Sequence, residues 1–196
     1  MSIILAAGPT LGQPSSPQAC PPAGDARNPQ VRQLNLLKNR DAAPTQQQMD
    51  AGVTLEAMLA PGDDLNRFDE NRGASIQGIV VRVLHGGVES VNCHARDFAH
   101  RDTHIELALS PTAVPTDRVI VEITPLWRQL MAARGIDWST PRLNVNLVGR
   151  KVEVTGWLMF DREHVTGSRN TSPGNPQNWR ATAWEVHPIT EIRVLP

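Results

Sequence analysis

Tyrosine is absent from this 196-residue chain, phenylalanine occurs three times and tryptophan five, so aromatic side chains make up only 4% of it. A core so short of aromatics must be filled by aliphatic side chains, and each tryptophan then carries a large share of the buried area. An excess of either charge is also missing: 19 Lys and Arg stand against 20 Asp and Glu, a net charge of −1. That balance excludes a globally basic nucleic-acid or membrane-surface module and leaves only local patches for such partners. Cysteine is scarce too. Cys20 lies in a Pro-rich tail and Cys93 in a polar stretch, a pair from which no disulfide framework follows. No run approaches the roughly 20 apolar residues of a membrane span. The opening Met1-Ser2-Ile3-Ile4-Leu5-Ala6-Ala7 is apolar, but it lacks a basic region and is short for a signal-peptide core. It is compatible with the remnant of a leader that begins upstream.

What is present divides the chain in three. Residues 1–30, rich in proline and serine, cannot bury enough apolar surface to offset ordering entropy, and are predicted to form a disordered or extended arm. Residues 31–74 read as a docking segment: an apolar strip at Leu34, Leu36 and Leu37, suited to a short helix or an extended stretch, then a short helix capped by Thr54 and stopped at Pro61-Gly62. Residues 75–196 turn to period two. Ile79, Val81 and Val83 are expected to share the inner face of a first strand, and Ile105, Leu107 and Leu109 that of a second. The β-branched run Arg118 to Ile123 makes a third strand. It leads into a helix with Thr124 as N-cap, Pro125 at its first position and Gly135 at its end. A short helix over Thr140 to Gly149, a fourth strand from Lys151 to Phe160, and a fifth over Arg180 to Leu195, broken at His187-Pro188, complete the series. The order β-β-β-α-β-β fits an all-β protein with minor α content: a five-stranded OB-fold barrel with a helix between its third and fourth strands.

In such a barrel the loops joining strands one to two and four to five border the binding face. Both are long here, His85 to Asp102 and Asp161 to Asn178, and long loops in compact domains are usually functional or disordered. Polar residues that folding alone explains poorly fall in or beside them, namely Asn92, Cys93, His94, Asp102, His104, Glu163 and His164, with Arg101 and Arg162 expected to contact phosphate if the ligand is nucleic acid. Asp102 and His104, two apart on a strand, share a face, and with His94 or Cys93 they offer three donors for a divalent metal such as zinc, a set that His164 or His187 could complete. The alternative is that they pin loop backbone and that Cys93 is a small buried residue. Trp157, Trp179 and Trp184 offer flat faces for bases or sugars or, as the main aromatics of the chain, core filling; Trp179 is the one expected to be most exposed. Arg96, Arg101, Arg162, Arg169 and Arg180 supply local positive charge or rim ion pairs. His187, before a proline, reads as a structural histidine at a kink.

Four runs carry a family resemblance: Gly87 to His94, Arg101-Asp102-Thr103-His104-Ile105-Glu106-Leu107, Val154 to Asp161, and Asn178 to Thr190 with its core Trp184-Glu185-Val186-His187-Pro188. Over residues 31–196 the chain resembles bacterial proteins of unassigned function, often exported, whose OB-like domains are expected to bind nucleic acid. The resemblance implies the fold and favours export, but carries no activity. The fold is also that of staphylococcal-type nucleases, whose arrangement of catalytic acid and arginine residues has no match here. Three readings follow. The first is a binding module holding single-stranded nucleic acid or an oligosaccharide between the two loops. The second is a metal-dependent hydrolase with Asp102, His104 and His94 as ligands and Glu163 or Glu89 as base, although no nucleophile elbow, phosphate loop or zinc-hydrolase motif is present. The third is an interaction protein whose N-terminal arm engages a protein partner.

Overall fold

The computed structural model describes residues 20–196. Most of the arm expected over residues 1–30 therefore lies outside the described residues. Five strands, β1 (Gly73–His85), β2 (Thr103–Ala108), β3 (Val119–Ile123), β4 (Lys151–Phe160) and β5 (Trp184–Val194), close into a barrel in the order β1-β2-β3-β5-β4. All neighbours are antiparallel except β3 and β5, which run parallel. This is the OB-like barrel that the element order predicts.

Period-two alternation builds the core. Ile105 and Leu107 of β2, Val119, Val121 and Ile123 of β3, Val152, Val154 and Leu158 of β4, and Trp184, Val186 and Ile189 of β5 meet in one buried cluster. The phase of β1 differs from expectation. Ile76, Val80 and Val83 are buried while Ile79 and Val81 are only half-buried, because the register with β2 shifts between Val80 and Arg82. A bulge adds one residue to one strand, so the inward set changes parity there. Leu109, expected inward, is exposed beyond the end of β2. On the other side of β1, the register of β4 with β5 shifts at Gly156, where a Cβ atom would lie 2.3 Å from the Pro188 carbonyl oxygen.

Two helices lie between β3 and β4. In α3 (Pro125–Ala132) the Thr124 hydroxyl accepts from the Trp127 amide at 3.3 Å, and Trp127 and Met131 pack into the core. In α4 (Thr140–Leu147) Leu143 and Leu147 do the same. The docking segment is integral to the domain. Within α2 (Leu55–Leu59), Leu55 and Met58 enter the barrel core. Three tryptophans clamp the rest of the segment through their indole N–H groups: Trp127 to the Arg40 carbonyl (2.8 Å), Trp157 to Ala42 (2.7 Å) and Trp184 to Asp64 (2.8 Å).

The apolar strip is helical, as α1 (Pro29–Lys38). Asn28 caps it, Leu34 is buried and Leu36 is exposed. Residues 20–28 are not a free arm. The Asp25 amide donates to the Ser90 carbonyl at 3.0 Å, and Cys20 forms a disulfide with Cys93, 73 residues away. The two cysteines, unrelated in the sequence, meet because α1 and the residues before it fold back over the β1–β2 connection; Cys93 is therefore a cross-link rather than a small core residue. Among the described residues no helix is long and apolar enough to cross a membrane.

Candidate functional site

The face of the sheet opposite the core carries the chemistry. Since Ile105, Val121 and Val186 point inward, their neighbours His104, Glu122, Glu185 and His187 point outward. Pairing sets His104 opposite Glu122, and Val121 opposite Val186, so the four polar side chains gather over β2, β3 and β5. Helix α1 packs against β5 and brings Lys38 to this face; its Nζ lies 2.7 Å from Glu89 Oε2 of the β1–β2 loop and 3.9 Å from Glu163 Oε2. The β4–β5 loop closes the other side. Asp161, at the end of β4, accepts from His164 Nδ1 at 2.6 Å and from Arg180 Nη2 at 3.0 Å. Arg180 also donates to Glu185 and, through Nε, to Ser168 Oγ at 2.9 Å. Its residue exposure is 0%, so it is a buried cross-brace and not the rim residue expected. Trp179 lies over the guanidinium of Arg180, edge-on to His164 and tilted against His104, with ring centroids 5.6 and 6.0 Å away.

These groups enclose a cavity of about 180 Å3 lined by Lys38, Glu89, His104, Glu122, Asp161, His164, Trp179 and Glu185. A larger, apolar cavity of about 500 Å3 lies between α3 and α4, bordered by Phe98, Pro125 and Trp138. Size alone favours the second, but convergent charged groups with displaced pKa values lie in the first, and those are the stronger mark of a site.

Burial and pairing oppose each other throughout the polar cluster. Burial lowers the pKa of His104, but the Glu106 carboxylate 3.8 Å away and the hydrogen bond to Glu122 more than offset this and raise it to about 10. Burial raises that of Glu122, yet the His104 hydrogen bond and the His187 charge bring it to about 2. Lys38 is held ionised against its burial by Glu89, Asp161, Glu122 and Glu185. Asp161 is pushed up by burial and then well below the usual carboxylate range by His164, Arg180 and Lys38. In Asp102 burial prevails over the opposing charge of His187, and its carboxyl rises to about 6. The arrangement can hold a polar ligand from several directions, exchange protons, or bind a cation.

Of the residues singled out from the sequence, Asp102, His104, Glu163, His164 and Trp179 fall in or beside this cluster; His104, His164 and Trp179 share one cavity. The others do not join it. His94 has a side chain 60% exposed, paired with Asp25 at 3.0 Å, and the His94, Asp102, His104 ligand set is not assembled. Among the described residues, the three His, Cys, Asp or Glu side chains whose ligand atoms lie within 4.8 Å of one another are Asp102, Glu122 and His187. Arg101 donates to the carbonyls of Ala95 and Arg96, and Arg162 forms a two-bond pair with Glu70 at 2.7 and 2.8 Å. Asn92 is buried in the β1–β2 loop. Trp157 and Trp184 are core filling. Sequence reasoning missed Lys38, Glu122 and Glu185. For Glu122 a signal existed, a lone acid in the β-branched run Val119 to Ile123. For Lys38 there was none, because its place depends on how α1 docks.

No protein-family model matches the chain, and no curated protein sequence matches it significantly.

Proposed function

We propose that the protein is an OB-type binding module whose cavity takes one neutral, polyhydroxylated ring at the end of an oligosaccharide. The observation that carries this reading is the cavity on the outer face of β2, β3 and β5, which Trp179 lines together with carboxylates and basic side chains. At about 180 Å3 it is smaller than the roughly 300–1,000 Å3 of sites for drug-sized ligands, which suits one ring with the remaining units outside. Sugar hydroxyls both donate and accept, so they can satisfy Glu122, Asp161 and Glu185 on one side and Lys38, His104 and His164 on the other. Single-stranded nucleic acid fits less well. A phosphate would face Glu89, Glu122, Asp161 and Glu185, and the nearby Arg101 and Arg162 already serve protein acceptors.

Calorimetric titration of the full chain with a panel of neutral oligosaccharides, and with a single-stranded oligonucleotide at two salt concentrations, tests the proposal. Saturable sugar binding, indifferent to salt and weakened at least tenfold by Trp179→Ala, is expected. Oligonucleotide binding in place of sugar binding, with log affinity falling by about 0.7 per phosphate neutralised as log salt rises, would overturn it.

A further inference from the structure

Behind the cavity, His187 stands among three carboxylates. Its Nδ1 is 3.3 Å from Glu185 Oε2 and 3.5 Å from Glu122 Oε2, and its Nε2 is 3.9 Å from Asp102 Oδ2. The imidazole is wholly buried, as is Asp102 to within 2%. Two atoms of this group have no hydrogen-bond partner, His187 Nε2 and Asp102 Oδ1. Buried polar atoms in native proteins are nearly always satisfied, so two orphans side by side mark a missing partner. Arg180 donates to Glu185, whose Oε2 lies on the Nδ1 side of His187, which leaves Nε2 as the ring nitrogen without a partner. Nε2 thus faces the Asp102 carboxylate at 3.9 Å, beyond hydrogen-bond distance.

From this geometry we infer that Asp102, Glu122 and His187 bind a divalent metal ion of the zinc class. One imidazole and two carboxylates are a common donor set for zinc, and their charge neutralises it. Metal-bound histidines usually donate their other N–H to a carboxylate, the part Glu185 takes here. Glu122 is oriented in the same way, by His104 Nδ1 at 2.8 Å from Oε1. Metal bonds of 2.0–2.2 Å in tetrahedral geometry set donors about 3.3–3.6 Å apart. The 3.9 Å between His187 Nε2 and Asp102 Oδ2 would therefore close by roughly half an ångström on binding, and Glu122 Oε2, which lies 3.5 Å from Nδ1, would turn toward Nε2. The donors come from the start of β2, from β3 and from β5, so the ion would tie three strands together. Through Glu122 it would also fix one wall of the cavity. The inference does not depend on what that cavity binds.

The test uses zinc alone. Full-chain protein stripped with a chelator is titrated with Zn2+ by equilibrium dialysis and its thermal midpoint followed. One zinc per chain, a midpoint that rises with zinc, and at least tenfold weaker binding in both Asp102→Asn and His187→Gln are expected, with His94→Ala unchanged. X-ray absorption at the zinc edge should show nitrogen and oxygen ligands with one imidazole, which decides the matter even if a variant fails to fold. No binding at micromolar free zinc, ligation that lacks an imidazole, or full binding retained by folded Asp102→Asn and His187→Gln would overturn the inference, and His187 would then be a protonated partner of the surrounding acids.

Discussion

Arg180 has no exposed surface and braces Asp161 against Glu185. Removing one partner of such a group leaves uncompensated buried charge, which typically costs 3–5 kcal/mol. Arg180→Leu should therefore lower unfolding free energy by about that amount in urea titrations, whereas Arg162→Leu, at an exposed pair with Glu70, should change it by less than about 1 kcal/mol. Asp161 makes stability pH-dependent in a defined direction. Its folded pKa is depressed below the unfolded value of about 3.9, so its contribution is complete above that pH and is lost as pH falls toward the folded value. The difference in unfolding free energy between the wild type and Asp161→Asn should accordingly shrink as pH is lowered from 5 through the region below about 4. If that difference is flat with pH, the carboxylate does not have these partners.

Strand β1 shows how far elements were legible. Its existence and its end near His85 follow from the run Ile79 to Leu84, but its start at Gly73 and its facing do not, because a bulge leaves little mark in composition and reverses parity between Val80 and Val83. Val80→Ala should cost about 1–3 kcal/mol and Val81→Ala under about 1 kcal/mol; the opposite order would restore the phase without a bulge. Strands β2 to β4 and helix α3 were readable because each combines one period with strong punctuation, as in Thr124-Pro125, whereas β5 begins at Trp184 rather than Arg180 and runs unbroken through His187-Pro188. The site was half readable. Asp102, His104 and His164 stand out as polar residues in or next to long loops, whereas Lys38, Glu122 and Glu185 enter it only through helix docking and strand register. The disulfide belongs here as well. It closes a 73-residue separation, and its reduction should lower stability by about 2–4 kcal/mol. Peptide mapping without reductant should find Cys20 joined to Cys93.

Across the whole molecule, near-neutral total charge conceals a dense internal pairing of opposite charges on one barrel face, roofed by α1 and the β4–β5 loop. The N-terminal segment is part of that construction: it supplies Lys38 to the site, Leu55 and Met58 to the core, and Cys20 to the cross-link. A bond of that kind suits folding in an oxidising compartment. Two cavities compete for the role of binding site, and their linings carry different reporters. Nuclear magnetic resonance of isotope-labelled protein during oligosaccharide titration separates them most directly. Binding at the outer face of β2, β3 and β5 predicts that the indole N–H of Trp179 and the imidazole signals of His104 and His164 shift with a single affinity while the indole of Trp138 stays in place. Shifts gathered at Trp138, beside the apolar cavity between α3 and α4, with Trp179 unmoved, would contradict it.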